Sequence, residues 1–331
     1  MGMGVTEFIG QYEIKKRIKT DFPNPGSGIE ANIRVSHEAY NHALLGQAFD
    51  YLIRIWLETK CETIHDPHKT ISNFPTDWLS SVSYSGSSYN DTNDFNENYF
   101  RKSQEKEKYK KSYRRARKKH QLFIKTGLNV NDAIDASLVY SGLDYDVGFD
   151  NGPLHANSFE KDIVTELQDL FHVLREQKTL IGGSVVISPV FGRRSFILEG
   201  HGDFIIDDML VDVKVTENPR FKPRYWRQLL TYYILNQNHR EIRQAGIDDY
   251  GSDVTYPDLS KVGIYYARFG ELQIIDMKKY LKPLDKYDKL RAFINDRAMK
   301  LNHDKRRNYK KYYELLTEPY DFEDQKTFDD F

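Results

Sequence analysis

The sequence predicts an α/β fold, a central mixed β-sheet flanked by helices with a helical region attached on its N-terminal side. Three observations lead there. Two apolar, β-prone runs, Phe204-Ile205-Ile206 and Met209-Leu210-Val211, flank Asp207-Asp208, a dipeptide suited to a two-residue hairpin turn. Helix-period apolar stripes lie on either side of that hairpin, in residues 159–177 and 225–236. A second hairpin pattern, Val262 to Phe269, then Gly270 and Leu272 to Ile275, extends the sheet.

At 331 residues the chain is long enough for one large or two small domains. The pattern divides it into a helical N-terminal region with a loop-rich insertion (1–130), a core (131–280), and a helical C-terminal segment with an acidic tail (281–331). The formal net charge is −1, so a nucleic-acid surface has to come from local clustering of cations. A single cysteine, Cys61, excludes an internal disulfide framework and argues against a cysteine-based zinc site. No apolar run approaches ~18 residues and no signal-peptide pattern opens the chain, so the expectation is a cytoplasmic protein with no membrane partner.

Taken in order, the stretch to about residue 35, with Pro23, Pro25, Gly26 and Gly28 in its middle, reads as an irregular lead-in. From Ser36 the apolar residues Leu44, Leu45, Ala48, Tyr51, Leu52, Ile55 and Trp56 follow helical spacing, with Ser36 and Glu38 suited to the helix start. Gly46 and Ala48 would admit a neighbouring backbone, and Asp50 and His42 read as residues of an ordinary buried helix. Residues 62–98, rich in Ser, Asn, Asp and Pro, read as a long loop or insertion. Between Arg101 and His120 there are eleven Lys or Arg and two acids, with Tyr109 and Tyr113 interleaved. Arg114, Arg115 and Lys118 on such a helix are candidates for holding a nucleic-acid backbone, with the tyrosines available for stacking; a solvated charged face is the plain alternative.

Residues 132–148 are assigned to a helix and a connecting loop. In 159–177 the stripe is Ile163, Leu167, Leu170 and Leu174, widened by Val164 and Phe171, with Glu166 at its edge, where a carboxylate needs a partner. Val185-Val186-Ile187 and Ser195-Phe196-Ile197-Leu198 read as strands separated by a turn near Pro189 and Gly192. Pro219 and Pro223 punctuate a loop whose Arg220, Lys222 and Arg224 are placed to touch a phosphate or simply to be solvated. Trp226, Leu229, Leu230 and Ile234 supply the core face of the next helix, on which Gln228 and Tyr232 share one side. From Lys278 the chain is helical again, and it ends in an acidic tail with Asp321, Glu323, Asp324, Asp329 and Asp330.

The first hairpin carries the chemistry. With a two-residue turn at Asp207-Asp208, residue 206 opposes 209, 204 opposes 211, and Asp203 faces Asp212 with Cβ atoms about 5 Å apart, which is unfavourable unless something cationic lies between them. Lys214 shares the face of Asp212, while Val211, Val213 and Val215 point the other way. Two acids and a lysine on one patch suit a hard divalent cation such as Mg²⁺ or Mn²⁺.

Gly200-His-Gly202-Asp203, then Asp212-Val-Lys214, then Gln228-Leu-Leu-Thr-Tyr232 resembles the RecB-like branch of the PD-(D/E)XK nuclease superfamily over roughly residues 155–275. The segment Gly46-Gln-Ala-Phe-Asp-Tyr-Leu52 is similar to an early helix of some of those proteins. The resemblance implies a restriction-endonuclease-like core and Mg²⁺- or Mn²⁺-dependent hydrolysis of phosphodiester bonds in DNA, in DNA processing or defence against foreign DNA. It implies Asp203, Asp212 and the Val213 carbonyl as metal ligands, with Glu166 as a further acid and Glu199 as its competitor. Lys214 would position or activate water, and Gln228 and Tyr232 would orient substrate. The second acid is Asp where Glu is more usual, which shortens its reach. A nucleic-acid-binding subunit that keeps this fold but cuts nothing is the alternative; RNA as substrate and protein partners stay open.

Overall fold

A computed structural model describes residues 4–26, 28–64, 103–148, 161–191, 198, 200–246 and 256–301. Its centre is a six-stranded mixed sheet in the order β1 (Glu62–Thr63), β2 (Ser184–Ile187), β5 (Phe204–Ile206), β6 (Met209–Lys214), β7 (Lys261–Tyr266), β8 (Glu271–Asp276). The strands β3 (Val190–Phe191) and β4 (Gly200–His201) pair separately beside it. Strands β5 and β6 are antiparallel, joined at Asp207-Asp208 in the expected register, with Phe204 opposite Val211 and Ile206 opposite Met209. Asp207 takes φ 50°, and its carboxylate accepts from the Gly183 and Ser184 amides at 3.3 and 3.0 Å, holding this non-glycine residue in the left-handed region.

Strand β6 runs parallel to β7, a geometry that needs a long crossover, and α7 (Pro223–Gln244) supplies it. Alternation along the strands then sends apolar residues to both faces. Val185, Ile187, Phe204, Ile206, Met209, Val211 and Tyr265 pack with α3 (His42–Glu58), α4 (Ser103–Thr126), α5 (Val130–Gly148) and α6 (Lys161–Arg175). Val186, Ile205, Leu210, Val262, Ile264 and Tyr266 pack with α1 (Val5–Phe8), α2 (Tyr12–Asp21), α7 and α9 (Leu284–Leu301). Strands covered on both sides read as near-continuous apolar runs, as FII and MLV do. Among the described residues no helix is long and apolar enough to cross a membrane.

Several expectations are revised. The lead-in holds two helices, because Ile14 and Ile18, four apart, are buried on one face of α2 against α9. Helix α3 starts at His42, capped by Asn41, whose side chain accepts from the Leu44 amide at 3.1 Å, rather than near Ser36. A Cβ on Gly46 would meet nothing within 4 Å, so this glycine marks no close approach. Residues 130–148 form one helix, and α7 continues to Gln244. Tyr113 is buried against Tyr140, with ring centroids 6.1 Å apart, and is unavailable for stacking; the side chain of Tyr109 lies outside the described residues. So do most of the 62–98 insertion, the Ser195–Ile197 run and the acidic tail.

Glu166 and Arg268, each 2% exposed, form an ion pair that fastens residues 35–39 to the end of the sheet. Glu166 also accepts from the Glu38 and Ala39 amides at 3.0 and 2.8 Å, and Arg268 donates to the Val35 and Ser36 carbonyls at 3.2 and 2.9 Å. A sealed pair of this kind is costly to break from one side. Glu166→Ala or Arg268→Met should each lose about 3–5 kcal/mol in a urea titration, and the double variant Glu166→Ala/Arg268→Met should lose less than the sum of the two single changes. Additive losses would show that the two residues do not act as a pair.

Candidate functional site

The site grows from the open end of the β5–β6 hairpin. Phe204 and Val211 are the last laddered pair, so Asp203 and Asp212 continue outward opposite one another. Asp203 is held at both ends: its carbonyl accepts from the Ser188 amide at 2.9 Å, and its carboxylate Oδ2 accepts from the Val213 amide at 2.6 Å. Asp212 lies within β6, 5% exposed, and pairs across to Ile264 of β7, while Lys214 pairs to Tyr266. The Lys214 ammonium sits 2.6 Å from Asp212 Oδ2. That ammonium is the one partner Oδ2 has among the described residues, and the oxygen is sealed from solvent.

Electrostatics show how crowded this end is. Burial pushes the Asp212 carboxyl up to about 6, Lys214 opposes the rise and the charge of Asp203 adds to it. Burial alone would depress the Lys214 ammonium, but Asp212 and Asp203 outweigh it and raise its pKa above the ordinary lysine value. Lys214 is therefore a cation at neutral pH, suited to holding an anion or orienting a water rather than to accepting a proton. Its Nζ also lies 5.1 Å from the centre of the Tyr225 ring.

A third carboxylate, in the helix that the sequence presents as an ordinary buried one, bears on this end through its charge. Asp50, on α3, feels the negative charges of both Asp203 and Asp212; burial first, and then these two acids, push its carboxyl up to about 7 against the pull of Arg54. Arg54, one helical turn on, grips Asp50 in a two-pronged ion pair, with Nε 3.1 Å from Oδ1. The available signal was Asp50 and Arg54 four apart in an otherwise apolar helix, a buried pair that demands a reason. Glu166 is engaged elsewhere, with Oε1 on Arg268 and Oε2 on the Glu38 and Ala39 amides. Glu199 lies outside the described residues.

Gln228 and Tyr232 bear on the site through the backbone. The Tyr232 hydroxyl donates to the His201 carbonyl at 2.9 Å and accepts from Gln228 Nε2 at 3.1 Å. The ring is 3% exposed and stacks on Phe191 with centroids 5.3 Å apart. Tyr232 thus clamps the strand two residues before Asp203, where a substrate-lining role was expected. Gly200 makes this possible, since a Cβ there would fall 2.5 Å from the Tyr232 ring and 2.6 Å from Val5.

Of the basic candidates, Arg114 and Lys118 are exposed on α4 without ion-pair partners among the described residues. Arg115 faces Asp135 at 3.9 Å, and the neighbouring Lys119 contacts Asp132 and Asp135 at 3.7 and 3.1 Å, so α5 neutralises part of that face. Arg220, Lys222 and Arg224 are exposed where β6 leads into α7. Among the described residues no three His, Cys, Asp or Glu side chains converge as a ready-made metal-holding group. No protein-family model, curated protein or solved structure matches the chain.

Gly200→Ala should displace the Tyr232 ring and cost about 1–3 kcal/mol, whereas Tyr232→Phe, which removes only the hydroxyl, should cost about 1 kcal/mol. Thermal melts of the two variants decide it; a neutral Gly200→Ala would mean that the ring does not pack here.

Proposed function

We propose that this chain is a metal-dependent nuclease that hydrolyses phosphodiester bonds in DNA, built on a restriction-endonuclease-like core of the RecB-like kind. The observation that carries the reading is the opposed pair Asp203 and Asp212 with Lys214 in contact with Asp212. Like charges facing across a strand pair destabilise a sheet, and this arrangement gains a purpose when a divalent cation is shared between them.

The donor set fits Mg²⁺ or Mn²⁺, being all oxygen: the Asp203 and Asp212 carboxylates, the Val213 carbonyl between acid and lysine, and Asp50 close by. The buried Asp212 carboxylate, whose Oδ2 has the Lys214 ammonium as its partner, leaves acceptor capacity for the same ion. When bound, such an ion supplies charge neutralisation at a phosphate and a more acidic water. The protein's own residues do the rest. Lys214, kept protonated by its two aspartates, places positive charge where negative charge builds on the phosphate and orients the attacking water. Tyr232 and Gln228 fix the strand that presents Asp203. Asp50 takes the place that the resemblance gave to Glu166, with Arg54 setting its orientation.

Incubation with linear, circular and single-stranded DNA plus Mg²⁺ or Mn²⁺ tests this. Wild type should cleave and EDTA should stop it. Asp212→Ala and Lys214→Ala should lower the rate by about a hundredfold or more with unchanged circular dichroism. Asp50→Asn should lower it by about tenfold or more, while Glu166→Gln, whatever its cost in stability, should not lower the rate of the folded protein. A Lys214→Ala variant of full activity would exclude this site, and DNA binding without cleavage in any metal would favour a silent binding subunit.

A further inference from the structure

The loop from β6 into α7 carries Arg220 and Lys222, and the start of α7 carries Arg224 and Arg227, four cations in eight residues, with no acid between Glu217 and Glu241. Elsewhere the chain matches its partly buried arginines with carboxylates: Arg17 with Asp21, Arg54 with Asp50, Arg240 with Asp258, Arg291 with Glu241. Among the described residues none of these four cations has such a partner. Arg227 is half-buried, and its Nε is sealed from solvent with no hydrogen-bond partner. Burial, and then the like charge of Arg224, hold the Arg227 guanidinium below its ordinary value. Three residues apart on a helix, the two guanidinium groups share a face, and the adjoining position on that face is Gln228. Helix α7 opens at Pro223 without a side-chain cap, so its positive end adds to the same field. The Tyr225 ring is 5.6 Å from Lys222 Nζ and 5.1 Å from Lys214 Nζ, which brings the Lys222 end of this cluster beside the lysine that contacts Asp212.

We propose that Arg224 and Arg227, assisted by Lys222, form a clamp for a backbone phosphate of the nucleic-acid strand next to the one presented to Asp203, Asp212 and Lys214. The clamp rests on the nuclease reading for its substrate and extends it by a subsite. Two unneutralised guanidinium groups on one helix face match the oxygens of a phosphodiester, and a phosphate between them removes their mutual repulsion. The basic helix α4 is a weaker candidate, because Asp132 and Asp135 already draw on its charge.

The test reads binding in EDTA, where no cleavage occurs, by fluorescence anisotropy of a short labelled single-stranded DNA across a salt series. Arg224→Gln/Arg227→Gln should weaken binding by about tenfold and flatten the slope of log Kd against log salt by about 1.4, the loss of two phosphate contacts on a single strand. A control of equal charge change on α2, Lys15→Gln/Lys19→Gln, should alter neither. Equal losses in both double variants, or none in the arginine variant, would overturn the clamp. If the wild type binds through these arginines yet cleaves with neither metal, the clamp stands and the hydrolytic reading falls. If the wild type cleaves and the arginine variant binds as tightly, the clamp falls and the hydrolytic reading stands.

Discussion

Two aspartates facing one another across the end of a buried hairpin are the constraint that organises this molecule. Left alone, Asp203 and Asp212 would push the strands apart. The fold counters them with Lys214 on the same face as Asp212, with the Val213 amide on Asp203, and with α3, which brings both a third acid, Asp50, and its cation, Arg54. The neighbourhood remains acid-rich: Asp50 feels the charges of Asp203 and Asp212 without converging with them on one point, and Asp50 and Asp212 both carry raised pKa values. A structure that holds such a cluster in its core gives up stability there, and it is at functional sites that proteins tolerate this.

The rest of the architecture makes that cluster rigid. Strand β4 and the residues before Asp203 are pinned from three directions: by Ser188, by the Pro189 carbonyl on the Gly202 amide at 2.9 Å, and by the Tyr232 hydroxyl on His201. Helix α7 therefore has two jobs on one stretch of chain. It is the crossover that lets β6 and β7 run parallel, and it supplies the tyrosine that locks the acid-bearing segment to the helical layer. At its start Lys222 and Lys214 both approach the Tyr225 ring, at 5.6 and 5.1 Å, so the cations that open the helix begin beside the acid-bearing end of the sheet.

How much of this was legible depended on the range of the interaction. The hairpin register follows by counting outward from Asp207-Asp208, and the strand period then places Lys214 with Asp212; both are local. The fold class was equally readable, since strands buried on both faces and helices of strong apolar period leave few architectures. Asp50 could not be assigned, because its role depends on α3 being brought to the end of the hairpin, which helical spacing does not encode. Glu166 was correctly read as a carboxylate in need of a partner. That partner is Arg268, which lies 102 residues away, beyond the last residue of β7, and no local pattern names it. Tyr113 looked like a ring on a charged helix, yet its face of α4 is the one packed on α5.

The most direct test of the account is a crystal structure grown with Mn²⁺, with the ion located by its anomalous scattering. The account predicts a single strong peak at about 2.1–2.3 Å from oxygens of both Asp203 and Asp212, with the Val213 carbonyl or Asp50 completing the shell directly or through water. A structure at saturating Mn²⁺ with no peak between the two aspartates, and Lys214 still seated on Asp212, would contradict it.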